Sequence, residues 1–186
     1  MNDDDAIRAV LEGNREAFRV LVERYSPMAR AFAGRLLGHT QDAEDVCQEA
    51  FVAAFRFLSR FDRSAGAFST WLLTIVRHRS INHVERRRPP PTQAGCGEIA
   101  VETRSPLDAA AASEMERKID GALAKLPIEQ RSAFVLVEMS ALSVAEAAAV
   151  EGVPVGTIKS RASRARLRLR QLLPEYQPRE VDDDAP

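Results

Sequence analysis

Between Glu16 and Leu37 the large apolar side chains recur every three or four residues: Phe18, Leu21, Val22, Tyr25, Met28, Ala29 and Phe32. That spacing lays them along one face of a helix. Pro27 lacks an amide donor and clashes with the preceding turn, so a kink or break is expected near Ser26. Thr40 can cap the next helix, over Asp42 to Phe61, with Val46, Ala50, Ala53, Ala54, Phe57 and Phe61 on one side. The turn-forming run Asp62-Arg63-Ser64-Ala65-Gly66 then breaks the pattern. A further helix is predicted from about Ser69 to Arg88, with Trp71, Leu72, Ile75, Val76, Ile81 and Val84 as its apolar set. Pro89, Pro90 and Pro91 stop it.

The pattern resumes at Ser113, where a helix is predicted to run to Leu126. Pro127 suits the first turn of the next, which runs to about Glu138. Ser143 and Glu146 have the spacing of a capping box and open a third helix. Gly152-Val153-Pro154 ends it, and a last helix runs to about Leu173. No segment alternates like a strand for long enough to count. The fold class is therefore all-α: two small helical domains, 1–88 and 113–174, joined by a flexible linker. Residues 89–112 hold Gly95, Gly97 and Pro106 with few large apolar side chains, as a tether does. The acidic tail 175–186 is expected to be disordered.

Net charge, at -1, argues by itself against a polyanionic partner. Its distribution says otherwise. From Val155 to Leu173 there are six basic residues and no acid, and from Arg77 to Arg88 there are five Arg against one Glu. Asp42 to Glu49 holds four acids and no base. Screening confines each field to roughly 10 Å, so local charge decides what each surface meets. The acidic N-terminus lacks the apolar core of a signal peptide, and no apolar run approaches a membrane span. A cytoplasmic protein without membrane insertion is expected. Cys47 reads as a small core residue and Cys96 as an exposed thiol, with no disulfide framework. No cofactor or metal is expected, and no catalytic residue is found: the sequence offers no phosphate-binding glycine loop, metal-ligand spacing or nucleophile-base pair.

Three stretches carry candidate chemistry. Val144 to Glu151, a turn at Gly152 and a helix from Val155 form a helix-turn-helix pattern. Its second helix projects Thr157, Lys159, Ser160, Arg161, Ser163, Arg164, Arg166 and Arg168 toward a major groove. The first turns would read base edges, and the later arginines would hold phosphates. A merely solvated basic helix is the weaker alternative, because uncompensated like charges destabilise a free helix. The second stretch joins the loop residues Asp62, Arg63 and Ser64 to Phe68, Trp71, His78, Asn82, Arg86 and Arg87. Aromatic groups beside a basic surface suit unstacked bases, and a flipped base could enter a pocket near the loop. On composition alone, Phe68 and Trp71 as ordinary core residues are equally acceptable. The third stretch is the acidic helix. Asp42, Asp45 and Glu49 share a face, with Glu44 and Gln48 beside them, and Phe51, Phe55 and Leu58 lie off the main apolar stripe. Such a face is either solvated or a docking surface for a basic protein.

Taken in order, these stretches resemble the sigma-70 family of RNA polymerase sigma factors. Asp42-Ala43-Glu44-Asp45-Val46-Cys47-Gln48-Glu49-Ala50-Phe51 resembles its core-polymerase-binding helix. Phe68-Ser69-Thr70-Trp71-Leu72, followed by Arg77-His78-Arg79-Ser80-Ile81-Asn82-His83, is similar to its promoter-melting, −10-reading helix. Leu126-Pro127-Ile128-Glu129-Gln130-Arg131 and Pro154-Val155-Gly156-Thr157-Ile158-Lys159-Ser160-Arg161 look like its −35-reading domain. The order and spacing are similar to the extracytoplasmic-function (ECF) group. The resemblance implies a non-enzymatic subunit that directs core RNA polymerase to promoter DNA. Its acidic helix would grip the clamp coiled coil of the largest subunit through Asp42, Asp45, Gln48, Glu49 and Val52, and its second domain would meet the flap region. It also implies a linker threading toward the RNA-exit region, a stress- or signal-responsive regulon, and control by an anti-sigma factor. His78 stands where many members carry Asn, and Asn82 where many carry Asp, so no −10 sequence is implied. A regulator with an N-terminal sensor domain would explain the helix-turn-helix equally well. It would leave the acidic helix and the basic aromatic helix unexplained.

Overall fold

The computed structural model describes residues 1–38, 40–87 and 114–174. Among these residues there is no strand, and the chain is built from helices. The first group comprises α1 (Asp3–Leu11), α2 (Phe18–Leu37), α3 (Thr40–Arg56) and α4 (Phe68–Arg87). The second comprises α5 (Glu114–Ala124), α6 (Ile128–Phe134), α7 (Val144–Glu151) and α8 (Val155–Leu172). The expected tether 89–112 and tail 175–186 lie outside the described residues.

α2, α3 and α4 pack on one another around Leu21, Phe32, Leu36, Val46, Ala50, Leu72 and Val76. α2 does not break at Ser26: Pro27 lies inside one continuous helix. The missing amide leaves the Glu23 carbonyl without its helical donor. Glu23 and Pro27 are both exposed, so water can serve that carbonyl. Buried Leu21, Ala29 and Phe32 anchor both halves, and Ser26 Oγ donates to the Val22 carbonyl.

α1 is an element that periodicity did not reveal. The Asn2 side chain accepts from the Asp5 amide, and Asp3, Asp4 and Asp5 fill the first turn, where the helix dipole favours acids. Ala6 and Ile7 seat it on the core.

In the second group, α6 continues into a wider π turn over Val135–Met139, closed by the Ser140 amide on the Val135 carbonyl at 2.9 Å. The capping box of α7 is complete: Ser143 Oγ accepts from the Glu146 amide at 3.2 Å, and Glu146 Oε2 accepts from the Ser143 amide at 2.9 Å. The left-handed Gly152, with φ at 66°, turns the chain sharply into α8. The Ser143 hydroxyl, donating to Glu146 Oε2 at 2.7 Å, and then the Ser143 amide hold the Glu146 carboxyl below its ordinary range. A depressed folded pKa adds stability above the unfolded value, and that increment disappears as pH falls through the folded one. Ser143→Ala should therefore lower stability at pH 7 by about 1 kcal/mol. Urea titrations at pH 7 and pH 3 should show that difference shrinking in acid, and a pH-independent difference would rule the carboxylate out.

The two groups are not apart. One continuous apolar core runs through both, with α4 packed against α7 and α2 against α5.

Candidate nucleic-acid interface

α8 buries Ile158, Ala162, Ala165 and Leu169, one side of the helix at helical spacing. Its outer side exposes Lys159, Ser163, Arg164 and Arg168, with Thr157 and Ser160 half-exposed at its start. Arg161 and Arg166, which the sequence placed on the same outward face, turn inward. Arg161 Nη1 donates to Glu151 at 2.9 Å, and Arg166 Nε donates to Glu138 at 2.8 Å. The basic helix is therefore partly compensated by acids from α7 and the π turn. Sequence spacing missed these partners because they come from other elements.

On α4, Trp71, His78, Asn82 and Arg86 form one stripe, with His78, Asn82 and Arg86 exposed. At its head lies an aromatic cluster. Phe61, Phe68 and Trp71 stand mutually 5.4–5.6 Å apart between ring centroids, and Tyr25 joins Phe68 at 5.3 Å. Phe68 is buried and Trp71 half-buried, so the first acts as the floor and the second as an accessible ring. Beside them the loop is shaped by Asp62, whose Oδ1 accepts from the Ser64 amide at 2.8 Å and hydroxyl at 2.7 Å. Those bonds hold its carboxyl below the usual range. A cavity of about 290 Å³ opens there, lined by Asp3, Ile7, Phe61, Arg63, Gly66, Ala67 and Phe68. A pocket with an aromatic wall, an acid and a guanidinium has the parts needed to hold a flat polar ring.

The acidic end of α1 contributes to this site, and the sequence reading did not include it. Asp4 pairs with Arg63, while Asp3 pairs with Arg24 and accepts from the Tyr25 hydroxyl. Burial, then this bond, push the Tyr25 phenol up to about 12. The only sequence signal was three consecutive acids after Asn2.

On α3, Asp45, Gln48, Glu49 and Val52 form an exposed stripe at i, i+3, i+4 and i+7. Val52 is 52% exposed, unusual for an apolar residue beside acids. Asp42 does not belong to that stripe. It is 9% exposed and lies beneath the end of α4, paired with Arg87 and facing His83 at 3.4 Å. Arg87 is thus drawn toward α3, away from the Arg86 stripe. Cys47 is buried and its thiol is pushed up to about 11 by desolvation, so it stays protonated and inert. Among the described residues no group of three metal-ligating side chains converges. No helix there is long and apolar enough to cross a membrane.

The descriptions Sigma-70 region 2 and Sigma-70, region 4 match residues 21–89 and 116–169. The chain is 32% identical over 177 residues to the ECF RNA polymerase sigma factor SigW of Bacillus subtilis, covering 90% of this chain and 94% of that one. Among solved structures it resembles CnrH bound to the cytosolic domain of CnrY, with a TM-score of 0.69, 30% identity, and coverage of 94% of this chain and 99% of that one. It also resembles the sigma factor RpoE of Bartonella quintana bound to the anti-sigma factor NepR, with a TM-score of 0.66, 28% identity, and coverage of 86% and 98%.

Proposed function

Since this chain belongs to the ECF group of the sigma-70 family, we propose that it binds core RNA polymerase in the cytoplasm and directs it to promoters through both helical groups. The reading rests on one observation above all: α8 offers an outer face of Thr157, Lys159, Ser160, Ser163, Arg164 and Arg168, on a helix without an acidic residue, held rigidly by a capped α7. Such a face fits a major groove, with Ser and Arg at base edges and the later Arg at phosphate.

Residues 1–88 take polymerase and the −10 element, 113–174 take the −35 element, and 89–112 serve as the tether between them. The exposed α3 stripe suits the clamp coiled coil of the largest subunit. The flap region is the partner of the second group. The cavity beside Phe68 and Arg63 suits a flipped non-template base, and Trp71, His78, Asn82 and Arg86 suit the strand next to it. Arg161 and Arg166 support the groove face from behind rather than reading it in this arrangement. Two solved relatives are complexes with CnrY and with the anti-sigma factor NepR, which supports an anti-sigma factor as a partner here.

Run-off transcription with purified core polymerase and a promoter library is the test. Transcripts should depend on this protein and share a −35 motif; transcripts unchanged by its omission would overturn the reading. A dimer on a two-fold duplex site without polymerase would favour the regulator instead. Arg164→Ala should weaken −35-dependent binding by about 1–3 kcal/mol and relax preference at one base. An unaltered library profile would remove Arg164 from base reading.

A further inference from the structure

We propose that residues 175–186 act as an intramolecular competitor for the basic face of α8, seating their acidic side chains on Arg164, Arg168 and Arg170 until a nucleic acid displaces them.

α8 carries two kinds of arginine. Arg161 and Arg166 are already paired, with Glu151 and Glu138. Arg164, Arg168 and Arg170 are exposed, and among the described residues no acid pairs with them. Arg164 and Arg168, four residues apart, repel each other, so this face favours an anionic cover. It is not purely basic, however. Leu167 is 60% exposed and Leu172 38%, and a phosphate backbone has no use for either. The occupant that fits this face carries acids with apolar side chains among them.

The chain that follows α8 has that composition. Residues 175–186 hold Glu175, Glu180, Asp182, Asp183 and Asp184 against Arg179 alone, with Tyr176 and Val181 interleaved. They also start in the right place. Leu173 has left the helical conformation, with φ at −135° and ψ at 81°, and is buried against the core. Pro174 follows and cannot continue the helix. Asp182 lies eight residues beyond Pro174, a reach of up to about 26 Å at about 3.3 Å per residue. Arg164 lies eight residues before Leu172, about 12 Å back along the helix at about 1.5 Å per residue. Asp182, Asp183 and Asp184 can therefore reach every one of the three arginines.

A short tether holds an attached group at about millimolar effective concentration, so weak contacts suffice for occupancy. Exposed ion pairs are individually weak and screened by salt. Duplex DNA, with one phosphate charge per about 1.7 Å of axis, outcompetes them. The competitor therefore raises a threshold instead of blocking the face. Duplex held by phosphate contacts alone is turned away, while a site that adds base contacts is still bound. The competition rests on the nucleic-acid reading of α8; the seating on its arginines does not.

The test uses the full chain. A nitroxide on Asp183→Cys, in a Cys96→Ser background with Cys47 buried, should broaden the amide signals of residues 164–171 more than those of residues 78–86 on α4. The broadening should be strong at about 50 mM salt and fade by about 200 mM. Broadening absent from α8, or equal on α4, overturns the proposal. A short mixed-sequence duplex must then relieve the broadening as it binds, and bound duplex with the broadening unchanged overturns the competition. Neutralising the acids, as D182N/D183N/D184N, should tighten duplex binding about 3–10-fold at low salt and steepen its salt dependence. In an R168A/R170A background that gain should shrink. A gain undiminished there comes from long-range charge and overturns the seat on α8. If neither wild type nor the neutralised variant binds duplex, the nucleic-acid reading of α8 fails instead, and the seating is judged by the broadening alone.

Discussion

Glu151→Ala is expected to lower the unfolding free energy of the full chain by about 3–5 kcal/mol, the usual effect of removing one partner from a buried ion pair. The carboxylate satisfies Arg77, Ser132 and Arg161 at once. Ser132 is fully buried and Arg77 only 10% exposed, so both would keep polar groups in an apolar setting without an acceptor. Arg161 is 25% exposed and can turn to water, so it adds little to the loss. Apolar replacement of both principal partners should behave differently. E151L with R77M removes the stranded charge along with the pair and should recover most of the loss. Urea unfolding of wild type, E151A and the double variant checks this. A loss under about 1 kcal/mol for E151A would mean that the carboxylate is not what satisfies those donors.

Asp45→Arg is expected to weaken association with core polymerase roughly 30-fold or more, about 2 kcal/mol upward, by placing a cation where the proposed partner surface is basic. Asp45 is exposed and lies on the same stripe as Gln48, Glu49 and Val52, so the substitution disturbs no core contact. The loss should shrink as salt rises, because exposed charges are screened within about 10 Å. Asp42→Asn provides the contrast. Asp42 is buried against Arg87 and His83, so its replacement should loosen the end of α4 and affect docking only indirectly. Equilibrium binding to labelled core polymerase at two salt concentrations measures both. An Asp45→Arg protein that binds core with wild-type affinity would remove this stripe as the docking face.

Much of this was legible because it is local. Spacings of three and four residues located the described helices from α2 onward within a few residues. The Ser143–Glu146 box and Gly152 marked the start and end of α7 from residue type alone, because capping needs only neighbours in sequence. On α3 the exposed positions Asp45, Gln48, Glu49 and Val52 follow the period of their own helix, so spacing alone places them on one side.

The misreadings share one cause: a side chain's partner came from a distant element. Asp42 obeys the α3 period, yet α4 folds over it. Arg161 and Arg166 look like groove readers until Glu151 and Glu138 approach from α7 and the π turn. Pro27 looks like a break until packing on both sides of it outweighs one lost hydrogen bond. α1 carries Ala6, Ile7, Val10 and Leu11 at helical spacing, but at nine residues it is too short to stand alone and is held by its cap and by contacts with α2.

By itself the sequence determined that this protein is helical, that its charge is divided into acidic and basic stretches, and that a helix-turn-helix pattern follows a segment rich in aromatic and basic residues. Those properties depend on residue type and spacing along one helix at a time. Only the tertiary structure decided which charges face outward, which acids hold the arginines, and that the two helical groups close on a shared carboxylate. Burial and ion pairing are relations between elements far apart in the chain. Arg77 and Glu151, 74 residues apart, acquire their meaning only when α4 and α7 meet.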